Sequence, residues 1–344
     1  YSFGKCIFMP SDLTAGIEFN QDKLEDNMWG YNRTVDQKVN IGSAFLQNEW
    51  KNDHWGFLIG GRLDKHNLID HVIFSPRANL RYNPTENINL RFSYSSGFRA
   101  PQAFDEDLHV ENVGGNVAMV ELADNLKEER SQSLSASADI YHRFGAFQVN
   151  FLVEGFYTKL SDVFALTDGE VVDGILTRTR HNASGAQVLG LTLEGKMAYL
   201  NKIQVQAGVT LQQSHYSKPH IWNKEAPAVK KMMRTPNTYG YFTATYTPIK
   251  PLSIALSGTY TGSMLVPHEP VPGFLEKPIT VNTKDFFDIG LKAAYDFKLY
   301  KSMNLQVNAG VQNIFNAYQN DFDKGADRDS GYIYGPSLPR SFFA

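Results

Sequence analysis

Residues 88–98 read INLRFSYSSGF, and within them Ile88, Leu90, Phe92 and Tyr94 alternate with Asn89, Arg91, Ser93 and Ser95. A period of two places the apolar side chains on one face of an extended strand and the polar ones on the other. Moving outward, the pattern returns at Leu134, Ala136, Ala138 and Ile140 against Ser133, Ser135, Ser137 and Asp139. It appears again at Ile203, Val205, Ala207, Val209 and Leu211 against Gln204, Gln206, Gly208, Thr210 and Gln212. Phe287, Ile289, Leu291, Ala293, Tyr295 and Phe297 extend it, and Met303 to Gln312 repeats it. Such runs reach about ten residues or more, against a mean of about five or six for soluble strands.

Marked along the whole chain, this pattern predicts fourteen strands, near 11–25, 39–51, 54–66, 75–83, 88–98, 131–143, 146–158, 186–199, 203–216, 236–247, 251–263, 285–299, 303–316 and 338–344. Their connections alternate in length. Tight ones fall at Asn52–Asp53, Asn83 to Asn87, Arg143 to Ala146, Asn201–Lys202, Pro248 to Pro251 and Tyr300 to Ser302, and long ones lie between. Each tight turn has aromatic residues beside it: Trp50 and Trp55, Tyr82, Tyr141 with Phe144, Tyr199, Tyr246, and Phe297 with Tyr300. Membrane barrels have short turns at one end, long loops at the other and aromatic girdles at both interfaces. The pattern therefore predicts an all-β fold, an antiparallel transmembrane β-barrel occupying residues 1–344.

Composition sets limits. The net charge of -3 with 20% charged residues gives no basic excess for nucleic acid. Cys6 is the only cysteine, which excludes an intramolecular disulfide framework and a cysteine-built zinc site. No run approaches the roughly 18 apolar residues of a spanning helix. A barrel strand needs only every second residue apolar, so a mean hydropathy of -0.34 still fits a membrane protein. No nucleophile elbow, triad spacing or paired-carboxylate motif marks an enzyme.

Seven of the nine histidines lie in or beside the long loops, at His66, His71, His109, His181, His215, His220 and His268. A loop histidine is usually a plain solvated polar residue; the functional alternative is that imidazoles and aromatic rings converge on a metal chelate or cofactor head group. The candidate ligand-binding residues are His109, His215, Tyr216, His220, Trp222 and His268, the richest stretch being His215 to Trp222. After the thirteenth strand, Asp321, Asp323, Asp327 and Asp329 form an oxygen-rich alternation that could hold calcium or simply stay solvated. It is not an EF-hand, because Gly325 comes one place early and Tyr332 stands where the bidentate Glu belongs. Asp105, Glu106, Asp107 and Glu111, around His109, make a second acidic cluster in the longest loop.

Four stretches carry a family resemblance. Ser96 to Phe104 reads SGFRAPQAF where a strand enters that longest loop, and Leu126 to Ser133 reads LKEERSQS where the next strand begins. Val311 to Gln319 reads VQNIFNAYQ and Gly331 to Phe343 reads GYIYGPSLPRSFF. Together these resemble the strand ends of TonB-dependent outer-membrane receptors, with wording nearest to receptors of Bacteroides-type bacteria. The resemblance spans residue 88 to the end; earlier strands agree by pattern only.

The resemblance implies residence in the outer membrane of a Gram-negative bacterium. It also implies import of a scarce small-molecule nutrient, such as a ferric siderophore, cobalamin, haem or another vitamin. Its partners would be outer-membrane lipid and TonB with ExbB and ExbD, and no cofactor would be required. A passive porin or an adhesin barrel is the rival class. Family barrels have twenty-two strands and a plugged lumen. No plug domain or TonB-contact box is found, and Ala344 precedes the terminal aromatic of a complete last strand. The chain is therefore expected to be the C-terminal part of such a barrel.

Overall fold

The computed structural model describes residues 1–29, 33–101, 117–172, 175–325, 328–329 and 331–344. Its strands begin with β1 (Ser2–Cys6), β2 (Met9–Met28), β3 (Arg33–Lys51), β4 (Trp55–His66), β5 (Ile73–Thr85), β6 (Ile88–Arg99) and β7 (Val117–Leu122). They continue with β8 (Glu129–Phe144), β9 (Phe147–Ser161), β10 (Phe164–Val172), β11 (Ile175–Asn182), β12 (Ala186–Tyr199), β13 (Ile203–His220) and β14 (Val229–Lys231). The last are β15 (Thr238–Ile249), β16 (Leu252–Thr261), β17 (Leu265–His268), β18 (Ile279–Asn282), β19 (Phe286–Tyr300), β20 (Met303–Gln312) and β21 (Ser341–Phe343).

One 16-stranded sheet carries the fold, ordered β1-β2-β3-β4-β5-β6-β8-β9-β12-β13-β15-β16-β19-β20-β21 with β14 paired to β13. Among the described residues its edges, β1 and β21, are not paired with each other. All fourteen expected strands are present within it. Several bounds differ: β2 begins and ends beyond its expected limits, β3 starts at Arg33, β13 runs on to His220, β20 stops at Gln312 and β21 keeps only Ser341–Phe343. The outer half of the β2–β3 hairpin pairs Lys23 with Lys38 and Glu25 with Asp36 on one face, and mixes Val39 and Leu24 with Asp22 and Gln37 on the other, so it leaves no clean alternation to read. The small sheets β10-β11-β7 and β17-β18 were not expected. They pair within the loops, where no apolar face is selected.

Because directly paired residues point to the same side of a sheet, the register fixes both faces. One row crosses nine strands as Tyr82, Leu90, Ala138, Val153, Leu193, Val209, Gly240, Tyr260 and Phe287. A row on the opposite face runs Arg91, Ser137, Glu154, Thr192, Thr210 and Tyr239. Val205, Val209, Ile289 and Val307 thus share the apolar face, and Gln204, Gln206, Lys292 and Asn308 the polar one. On the apolar face Val307 remains 48% exposed, with no protein layer over it. The polar face satisfies itself laterally: Gln206 donates to Tyr241 at 2.7 Å, Tyr241 donates to Glu194, and Lys196 pairs with Glu194 at 2.7 Å.

The tight turns all fall at one end, and their aromatics interlock along it. Trp55 stacks on Tyr82 with centroids 4.2 Å apart, Phe144 on Phe147 at 5.3 Å, and Phe147 meets Tyr199 at 4.6 Å. Register carries the belt onward from Tyr199 through Ile203 to Tyr246. At the β8–β9 turn Gly145 takes φ 60°, the left-handed value that a two-residue primed hairpin needs. Tyr141 departs from the belt: it lies on the polar face and donates to Asp139 at 2.9 Å.

A charge on the two faces should have opposite consequences. In a bilayer, Val209→Lys is expected to cost about 2–4 kcal/mol near the midplane, whereas Gln206→Lys, on the other face of the same strand, should be tolerated. Heat-dependent gel mobility of membrane-extracted protein measures the folded fraction, and equal tolerance of both variants would refute this assignment of faces.

Candidate functional site

The other end of the sheet carries the long loops, and they fold against one another. Asn182 donates to the Lys127 carbonyl at 3.0 Å and accepts from the Lys127 amide, tying the β9–β12 loop to the chain entering β8. In that loop sheet, β11 pairs with β7 in parallel. The Arg99 and Arg180 guanidinium groups lie over the Phe164 ring at 5.5 and 5.8 Å. Arg180 is 3% exposed, so its charge is held inside the loop end rather than on its surface.

β13 rises past its neighbours to His220. Its lower part pairs with β12 as far as Tyr216 opposite Ala186, beyond which the register with β14 shifts. That irregularity allows the Tyr216 and His220 rings to stack, centroids 4.7 Å apart and planes 30° from parallel. Burial, and after it the charge of His181, pushes the His220 imidazole below the ordinary histidine range. The Trp222 indole N–H is buried without a hydrogen-bond partner among the described residues. In sequence this indole follows two residues after His220, the second of the stacked rings.

The other expected residues divide differently. His215 pairs with Gln187, which puts it on the face opposite Tyr216. His268 is 5% exposed and belongs to another cluster, stacked on Tyr332 at 3.8 Å and bonded to Asp323 at 2.9 Å. Asp321 does not join that cluster; it accepts hydrogen bonds from the Tyr334 and Tyr332 hydroxyls at 2.6 and 3.4 Å. Burial, then the bond to Asp321, pushes the Tyr334 phenol above its ordinary range and keeps it a donor. His109, Asp327, Asp105, Glu106, Asp107 and Glu111 lie outside the described residues.

Three residues that the sequence did not single out organise the loop end. Arg234 donates to the Ile333 and Gly331 carbonyls at 2.7 and 2.6 Å, joining the loop after β14 to the loop after β20. Gln319, 1% exposed, donates to the Tyr332 carbonyl and accepts from the Tyr334 and Gly335 amides. His181, seen only as one loop histidine among seven, is near enough for its charge to act on His220. Gln319 closes the VQNIFNAYQ stretch, and the position of this polar residue after an aromatic was the one available signal.

The family model described as TonB dependent receptor-like, beta-barrel matches residues 2–314. No curated protein sequence matches the chain. Among solved structures, the siderophore receptor PirA of Acinetobacter baumannii is similar with a TM-score of 0.70 at 17% identity, over 99% of this chain and 52% of that one. The ferric enterobactin receptor of Pseudomonas aeruginosa gives 0.66 at 18% identity, over 99% and 51%. The ferric-catecholate import receptor Fiu of E. coli gives 0.65 at 14% identity, over 97% and 51%. The chain spans about half the length of these structures, and at such identities the likeness establishes the fold.

The depressed His220 value has a definite sign. The folded loop favours neutral imidazole, so the unfolded chain binds more protons as pH falls through about 6.5, and loop stability present above that pH is lost below it. Proteolysis of the loop after His220 should accelerate between about pH 7 and 5. His220→Phe keeps a ring on Tyr216 and should flatten the dependence; unchanged acceleration in that variant would assign the effect to another group.

Proposed function

The chain belongs to the family of TonB-dependent receptor-like β-barrels, and from that premise we propose that it is the barrel portion of an outer-membrane receptor importing a ferric siderophore, with a catecholate chelate as the ligand class. TonB, energised through ExbB and ExbD, would drive the import in a Gram-negative cell. The observation carrying this reading is the stacked pair of Tyr216 and His220 at the loop end, with Trp222 two residues further along the chain. The stacked rings suit the flat aromatic arms of a catecholate, and the buried indole N–H suits an anionic oxygen. Arg99 adds positive charge at the same end for an anionic complex. The three similar structures, described as siderophore, ferric enterobactin and ferric-catecholate receptors, favour the same class. Nothing in this arrangement calls for a catalytic group.

Calcium at Asp321, Asp323, Asp327 and Asp329 is not part of this proposal, because Asp321 is engaged by tyrosine hydroxyls and an imidazole enters the set. The rival reading, a passive porin or an adhesin barrel, differs in energy dependence. Uptake of radiolabelled iron as a catecholate chelate, in cells carrying the intact gene, should require TonB and saturate. Tyr216→Ala combined with Trp222→Ala should weaken binding about 10–100-fold, and Trp222→Phe, which keeps the ring and loses the donor, about 3–10-fold. Uptake that persists without TonB and scales with solute size would establish a porin, and full binding by the double variant would remove this cluster as the site.

A further inference from the structure

We propose that His268, Asp323 and Asp329 form a zinc-class divalent metal site that fastens two loops together. The inference stands apart from siderophore uptake, since none of the three residues belongs to the Tyr216 cluster. One ligand atom from each residue lies within 4.8 Å of the others. His268 ends β17, in the loop between β16 and β19, and both aspartates lie in the loop between β20 and β21. The cluster therefore joins segments 55 residues or more apart in the chain.

Four observations favour a cation there. First, two carboxylates converge on one imidazole, so the cluster is net negative whichever way the ring is protonated. Among the described residues neither aspartate forms an ion pair with lysine or arginine. The site is also shielded, with side chains of His268 and Asp323 only 7% and 4% exposed, and unneutralised charge is costly there.

Second, the spacing of His268 and Asp323 suits coordination, and Asp329 stands within 4.8 Å of both. His268 Nε2 and Asp323 Oδ2 are 2.9 Å apart. Ligands bonded to zinc at about 2.0–2.2 Å, at angles between octahedral and tetrahedral, lie roughly 2.9–3.5 Å apart. A metal would take the place of the proton that the pair now shares, with little movement of either ligand. Third, the donors are already held by their neighbours, as metal ligands are. Asp329 accepts the Glu269 and Gly331 amides at 2.9 and 2.8 Å, Asp323 accepts the Asp329 amide at 3.2 Å, and Tyr332 fixes the His268 ring by stacking.

Fourth, the donor set selects the metal. Calcium takes six to eight oxygen ligands, whereas one nitrogen with two carboxylates suits zinc and its first-row neighbours, the remaining positions being filled by water. Tyr332 also packs with Met264 and Val266 in the chain's buried apolar cluster, so a bound metal would lock that cluster to both loops.

The test uses the complete receptor, stripped with chelator and titrated with zinc chloride against a competing indicator. One zinc ion per chain should bind at the tightest site, at least tenfold more weakly in His268→Gln and in Asp323→Asn. Asp321→Asn should bind as the wild type does. Cobalt loading of the wild-type receptor provides a check that needs no variant, because a nitrogen-containing site below six-coordination gives an intense visible absorption band. Absence of zinc uptake, unchanged affinity in His268→Gln, calcium binding tighter than zinc, or a cobalt spectrum of plain hexaaqua type would each overturn the site. None of these outcomes depends on whether the receptor carries siderophores.

Discussion

The structure depends on one constraint: every backbone N–H and C=O facing hydrocarbon must have a partner within the protein, since lipid offers none. The long antiparallel ladder meets that need strand by strand. Its register runs without a change of face from β2 through β20, because a slip of one residue would turn a whole strand's valines and leucines inward and its glutamines and arginines outward. The sheet has no packed core of the ordinary kind. Its few buried apolar side chains cluster mainly at the loop end, and its apolar face is finished only when something apolar lies against it.

Satisfying the ladder in this way separates the two ends of the molecule. At the tight-turn end the chain reverses in a few residues, and aromatic rings at neighbouring strand ends meet edge to edge and face to face. At the loop end the strands project past the region that hydrocarbon would cover, water returns as a hydrogen-bonding partner, and alternation gives way to specific polar contacts. Gln319, Arg234, Asn182 and the His268–Asp323 pair do there what register does in the sheet. Each satisfies backbone or side-chain groups of a loop distant in sequence, and together they give the loops defined places over the polar face.

The ring and imidazole pair on β13 illustrates how much local side-chain arrangement follows from one irregularity. In an unbroken strand Tyr216 and His220 would stand about 13 Å apart along the same face. The shift of register beyond His215 brings the two rings into contact. The chemistry of the mouth is therefore a consequence of where the ladder stops being regular.

The amino-acid sequence by itself determined fourteen of the sheet's sixteen strands. Period-two alternation from Ile88 to Tyr94, repeated from Met303 to Gln312, is a local property that lipid on one side and a polar interior on the other impose on every strand, so fourteen strands and both faces could be read residue by residue. The aromatic belt was legible for the same reason, since turn length and ring position are both local. The loop end was decided only by tertiary structure. Period two already sets His215 on the face opposite Tyr216 and His220, but nothing in that spacing says that the Tyr216 and His220 rings meet. Nothing near His268 says that its partners are Asp323 and Asp329 rather than a ligand, or that Asp321 belongs to Tyr334. Those groups are joined by contacts across tens of residues, where hydrogen-bond satisfaction and ring packing select partners that no periodicity encodes.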